Sequence, residues 1–154
     1  CDNESVEKNL KNETILNGVN QERVIFARRL EIKEHLKRIK LADICLDTFP
    51  YGAHTSASDS IRMGLPLITI QGESFVSRVS SSILNQVDLN ELVSKNIEDY
   101  KNLAIKVGKN KDYLDNLNKK LSDSLKKTSL FDSIMFTKNL ENIYTKILKN
   151  YEKN

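Results

Sequence analysis

Two stretches of the chain carry side chains that can do more than fold. The first is Asp47-Thr48-Phe49-Pro50-Tyr51-Gly52-Ala53-His54-Thr55-Ser56-Ala57-Ser58-Asp59. It turns at Pro50 and Gly52, then enters a helix through His54, Thr55 and Ser56. A helix entry offers free backbone N–H groups and the positive end of the helix dipole, and hydroxyls beside it add donors. That combination suits a phosphate or a pyrophosphate. Ser56-Ala57-Ser58-Asp59 also has the spacing of a capping box, in which case the same residues only start the helix. The second stretch is Glu34-His35-Leu36-Lys37-Arg38. His35 and Arg38 lie three apart and share a helix face, where they can stack on or hydrogen-bond to a base or a ribose. The plain alternative is a solvated face.

A third loop, Gln71-Gly72-Glu73-Ser74, precedes a segment carrying Arg78. Glu73 or Ser74 reads as a helix cap there, and Arg78 as one half of a structural ion pair. His35 and His54 are the two histidines of the chain. No H-E-x-x-H, paired C-x-x-C or nucleophile-elbow sequence is present, so no metal site and no Ser-His-Asp machinery are expected.

These loops need elements to hold them. Ser5 to Val19 reads as a helix closed by Asn17-Gly18, and Glu31 to Leu41 as a second. Val24-Ile25-Phe26, Ala42–Leu46 and Leu65–Ile70 read as short strands. Helices are expected from Thr55 to Met63 and from Ser74 to Leu84. Short apolar strands alternating with helices indicate a parallel sheet covered on both faces. From Ile97 onward the pattern is helical, with breaks near Gly108 and Ser129. Leu114, Leu117, Leu121 and Leu125 form one apolar stripe; Leu140, Ile143, Tyr144, Ile147, Leu148 and Tyr151 form another, and both read as packing surfaces. The expected organisation is a single domain over 1–154, with an α/β part at 1–96 and a helical part at 97–154. Three strands make half of a doubly wound domain, which points to a missing N-terminal portion.

Composition narrows the class. The chain has 154 residues, 39% hydrophobic and 29% charged, so it is neither a disordered tail nor a membrane span. Its 24 basic and 21 acidic residues nearly cancel. Residues 51–90 carry five charges (Asp59, Arg62, Glu73, Arg78 and Asp88), whereas 91–154 carry thirteen Lys against nine acids at helical spacing. That is a solvated face rather than a basic stripe, so neither nucleic acid nor membrane is an expected partner. Cys1 and Cys45 provide no disulfide framework, Cys45 reads as a small core residue, and the cytoplasm is the default location. A start at Cys1 rather than Met reads as a processed or internal piece.

Taken together, several strings resemble one family. They are Glu34-His35-Leu36 with Arg38, Leu41-Ala42-Asp43, the run Leu46–Asp59, Gly64-Leu65-Pro66-Leu67 with Thr69, and Gly72-Glu73-Ser74-Phe75 followed by Arg78-Val79. Their order and spacing from about Arg23 to Tyr151 resemble the C-terminal half of the catalytic domain of O-GlcNAc transferases. The nearer likeness is to bacterial relatives, which often carry tetratricopeptide repeats upstream. The resemblance implies a Rossmann-like half of a two-domain GT-B glycosyltransferase, inverting and metal-independent, with no cofactor. The donor it implies is a UDP-sugar, UDP-GlcNAc first, and the acceptor a protein Ser or Thr. It puts His54, Thr55 and Ser56 at the UDP pyrophosphate, Asp59 at the ribose hydroxyls, and His35 and Arg38 near the uracil. The family's phosphate-contacting Lys and its proposed catalytic bases would lie upstream of Cys1. An isolated chain would then be inactive.

This chain departs from the family pattern at four positions. Ser56 replaces the usual Thr but keeps the hydroxyl, Gly52 stands for a frequent Asn, Arg62 for a frequent Trp, and Ile32 for a Lys, with Lys33 adjacent. Two other readings share the fold: a nucleotide-binding or protein-interaction module that has lost transfer, and a relative that glucosylates Asn. The His54-Thr55-Ser56 stretch fits the Ser/Thr branch better.

Overall fold

A computed structural model of the chain describes residues 3–152; Cys1 lies outside them. The contacts divide the chain into two compact units, Cys1–Arg38 and Ile39–Asn154.

In the first unit, helix α1 spans Glu4–Leu16. The Asn3 side chain accepts from the Ser5 and Val6 N–H groups at 3.0 and 3.2 Å, an N-cap that satisfies two otherwise unpaired donors. The helix stops where the sequence says it must. Gly18 takes φ +73, a conformation open to glycine, and the Val19 N–H returns to the Thr14 carbonyl at 2.8 Å. A 3-10 turn at Gln21–Arg23 leads to an extended run and then to α2, Ile32–Ile39. Val24-Ile25-Phe26 is not the strand its β-rich composition predicts. The backbone is extended at Val24, but no strand among the described residues pairs with this run, and Ile25 is 85% exposed. β-propensity without a neighbouring strand leaves only an extended chain.

The second unit holds a three-stranded parallel sheet in the order β1-β2-β3. The strands are β1 (Cys45–Leu46), β2 (Leu67–Ile70) and β3 (Val93–Ser94). Cys45 pairs with Leu67 and Leu46 with Ile68, while Thr69 pairs with Val93 and Ile70 with Ser94. Helix α3 (Thr55–Arg62) connects β1 to β2, and α4 (Val79–Gln86) connects β2 to β3. Both pack on β2, so every residue of that central strand is buried, three of them apolar and the fourth, Thr69, polar. The expected strands at Ala42–Leu46 and Leu65–Ile70 therefore pair in parallel, and the third strand is Val93–Ser94. The expected Ser74–Leu84 helix is instead a 3-10 turn, Phe75–Ser77, followed by α4.

Helices α5 (Ile97–Lys109), α6 (Lys111–Leu125) and α7 (Ser133–Tyr151) form the helical C-terminal third. Asn96, Asn110 and Asp132 cap their N-termini through side-chain oxygens. Leu117 and Leu121 of α6 join Ile61, Leu67, Ile68, Leu84 and Val107 in one core, with Leu114 and Leu125 packed against it. The second stripe behaves differently: α7 has no buried residue, and Ile143, Tyr144, Ile147, Leu148 and Tyr151 are all exposed. No helix among the described residues is long and apolar enough to cross a membrane.

Candidate functional site

The polar loop after β1 is organised by one buried carboxylate. Asp47 is 7% exposed and joins no ion pair among the described residues. Its charge is met by donors. Oδ1 accepts from the Thr48 N–H at 2.8 Å and the Ala53 N–H at 2.6 Å, and Oδ2 accepts from the Thr69 hydroxyl at 2.7 Å. A buried carboxylate left without such partners would be costly. Its backbone carbonyl also accepts from the Tyr100 hydroxyl of α5 at 2.8 Å. Burial first, and then the Asp47 charge, push the Tyr100 phenol above its ordinary value. Burial raises the Cys45 thiol as well; a hydrogen bond with Ser60 opposes this and the Asp47 charge adds to it.

The rest of the loop is held from the other side. The Gly52 N–H donates to the Val76 carbonyl at 3.1 Å, and the Ser80 hydroxyl of α4 donates to the Ala53 carbonyl at 2.8 Å. The Thr48 hydroxyl closes the turn on the Tyr51 carbonyl at 2.6 Å. A Cβ at residue 52 would stand 3.2 Å from both Asp47 Oδ2 and the Val76 oxygen, so a side chain here would require these neighbours to shift by a few tenths of an ångström.

From this anchored loop α3 departs. Its N-cap is His54, whose side chain makes no capping bond, and the first helical bond runs from the Ser58 N–H to the His54 carbonyl at 3.1 Å. The capping-box reading therefore fails. The helix begins before Ser56, so Ser56 already lies in the first turn, and the Asp59 carboxylate makes no hydrogen bond or ion pair among the described residues. The His54 ring stacks on Tyr51 with centroids 5.2 Å apart and meets the edge of Phe75 at 5.8 Å. Its Nε2 lies 3.4 Å from the Val76 carbonyl. His54, Thr55, Ser56 and Asp59 line one open cleft of about 630 Å³ together with Asp47 and Tyr51.

His35 and Arg38 lie in the first unit, and there they meet. One guanidinium nitrogen of Arg38 is 3.1 Å from His35 Nδ1, and the other donates to the Arg28 carbonyl at 2.7 Å. Both residues line a separate cleft of about 550 Å³ with residues 27–32. The loop after β2 departs from expectation. Ser74 heads the 3-10 turn without a side-chain cap bond, and Arg78 forms no ion pair among the described residues. The side chains to which the sequence assigned no role are the holders: Asp47, Thr69, Ser80 and Tyr100. An Asp closing a strand was the available signal; its donors are too remote in sequence to be read.

The family model for glycosyl transferase family 41 matches residues 3–140. The chain belongs to glycosyl transferase family 41. It is 31% identical over 146 residues to the UDP-N-acetylglucosamine–peptide N-acetylglucosaminyltransferase of Caenorhabditis elegans, a match covering 95% of this chain and 13% of that protein. It is 36% identical over 118 residues to SPINDLY of Petunia hybrida, covering 77% of this chain and 13% of that protein. Among solved structures, a mutant of the Thermobaculum terrenum O-GlcNAc transferase superposes with a TM-score of 0.87 at 28% identity, covering 96% of this chain and 28% of that one. The family 41 chain thus spans about an eighth of the length of these two curated relatives, and its parallel α/β fold is that of an O-GlcNAc transferase.

Proposed function

We propose that this family 41 chain supplies the UDP-binding part of an inverting, metal-independent transferase that moves N-acetylglucosamine from UDP-GlcNAc to Ser or Thr of a protein. The relatives named above carry the donor and the peptide acceptor in their names. One observation about this chain carries the reading. The His54 N-cap of α3 makes no side-chain capping bond, and the helix's first turn opens on the same cleft as the Asp59 carboxylate, which has no partner among the described residues. The pyrophosphate would take the N–H groups of that turn, the Thr55 and Ser56 hydroxyls, and His54. Asp59 would accept from the ribose hydroxyls. As the bond from sugar to phosphate breaks, negative charge grows on the departing UDP, and preorganised donors with a helix dipole stabilise it there. The groups that activate the acceptor are expected outside this chain, so the chain alone should bind UDP weakly and transfer nothing.

The test is a titration of UDP into the chain, followed by amide NMR shifts, beside a thermal melt. Asp59→Ala removes an acceptor of charge-assisted hydrogen bonds, each worth about 1.5–3 kcal/mol, so affinity should fall roughly tenfold to hundredfold. The melting temperature should hold, because the Asp59 side chain makes no hydrogen bond or ion pair among the described residues. Unchanged affinity in the folded variant refutes the ribose assignment.

A further inference from the structure

We infer that Asp47 is the positioning residue of this site: its buried carboxylate fixes the backbone from which His54 and the first turn of α3 are presented. The inference rests on the UDP reading above and adds a residue that touches no ligand in it.

Ala53 immediately precedes His54, and both of its backbone polar groups are taken. Its N–H goes to Asp47 Oδ1 at 2.6 Å and its carbonyl receives the Ser80 hydroxyl at 2.8 Å. Asp47 is in turn tied to β2 through Thr69 and to α5 through Tyr100. The peptide leading into His54 is therefore clamped between β1, β2 and α4, so the N–H groups of α3 keep their direction before any ligand arrives. Donors fixed in advance bind an anion without an ordering cost at the moment of binding. The His54 side chain itself is held only by a 3.4 Å approach to the Val76 carbonyl and by ring contacts with Tyr51 and Phe75, so its aim depends on this backbone.

Two substitutions separate positioning from bulk stability. In Asp47→Asn the carbonyl oxygen can still accept from the Thr48 and Ala53 N–H groups, while the amide can donate to the Thr69 hydroxyl. In Asp47→Ala all three bonds go. Should Asp47→Ala fail to fold, Ser80→Ala releases Ala53 from the other side with one bond lost. The readouts, taken on the 154-residue chain, are hydrogen exchange of the Ala53 N–H without ligand and UDP affinity by NMR titration. We expect Ala53 exchange to accelerate at least about tenfold in Asp47→Ala, and UDP affinity to drop about tenfold, the equivalent of one lost hydrogen bond. Asp47→Asn should restore both to within about threefold, and Ser80→Ala should lie between. Unchanged Ala53 exchange in Asp47→Ala or, if that variant does not fold, in Ser80→Ala overturns the clamp. Faster exchange with wild-type affinity in the folded variant overturns positioning and leaves only a structural role. Wild-type chain that binds no UDP defeats the functional reading instead, and with it the ligand half of this inference, while exchange decides the clamp alone.

Discussion

Residues 47–59 and residues 24–38 each bring candidate ligand contacts together, and they are held in opposite ways. The first segment hangs from a buried carboxylate with three donors and receives bonds from two further elements. The second holds itself: Arg38 bonds the Arg28 carbonyl and meets His35, and α2 contains no buried residue. The difference follows from what stands behind each. The loop after β1 grows out of the sheet, where every unmade hydrogen bond is costly and geometry is enforced. No strand among the described residues pairs with the 24–38 segment, so water competes for each of its bonds. The first kind of support is what a site built from backbone N–H groups needs.

Substitutions can break this comparison. The largest effect is expected in the core beneath the first segment. Leu84→Ala opens a cavity against β2 and should cost about 2–5 kcal/mol in urea unfolding, whereas Ile25→Ala should stay within about 0.5 kcal/mol. Similar costs for the two would mean that the 24–38 segment is supported as firmly as the sheet. Next is Gly72→Ala, because a Cβ there would lie 2.5 Å from the Ser77 hydroxyl and 2.9 Å from its Cβ, inside contact distance. Overpacking of this kind should destabilise by about 1–3 kcal/mol, and a neutral melt would show that the loop after β2 gives way.

Tyr100→Phe is expected to cost about 0.5–1.5 kcal/mol, the net worth of a hydrogen bond to the Asp47 carbonyl. It carries a pH signature. The folded state holds the phenol above its ordinary value of 10.0, so the stability this contributes is complete below pH 10.0 and is lost as pH rises through the folded value. Cys45 acts with the same sign from its ordinary 9.0 upward. Unfolding measured between neutral and strongly alkaline pH should therefore show a shallower alkaline decline in Tyr100→Phe than in wild type. Parallel curves would show that burial and the Asp47 charge do not hold the Tyr100 phenol above its ordinary value. The smallest effect belongs to the second segment. Arg38→Ala removes one exposed bond to the Arg28 carbonyl and should shift stability by less than about 1 kcal/mol, with chemical-shift changes confined to residues 27–38. Changes reaching residues 47–59 would show that the two segments are coupled.

Much of the local architecture was legible in the sequence alone. Asn17-Gly18 ended α1, the apolar run 67–70 made a strand buried on both faces, and the polar run 54–59 opened α3. Periodicity, caps and turn residues act between close neighbours, so they are legible without the fold. Tertiary structure decided the rest. Val93–Ser94 became a strand because β2 offered an edge, and Val24–Phe26 did not because none was paired to it. Two apolar stripes of equal quality at 114–125 and 140–151 parted company, the first buried in the core and the second exposed. Asp47 became the anchor of the loop through donors 6, 22 and 53 residues away, at Ala53, Thr69 and Tyr100. A buried carboxylate takes its role from whichever donors the fold delivers to it, and those distances are set by packing.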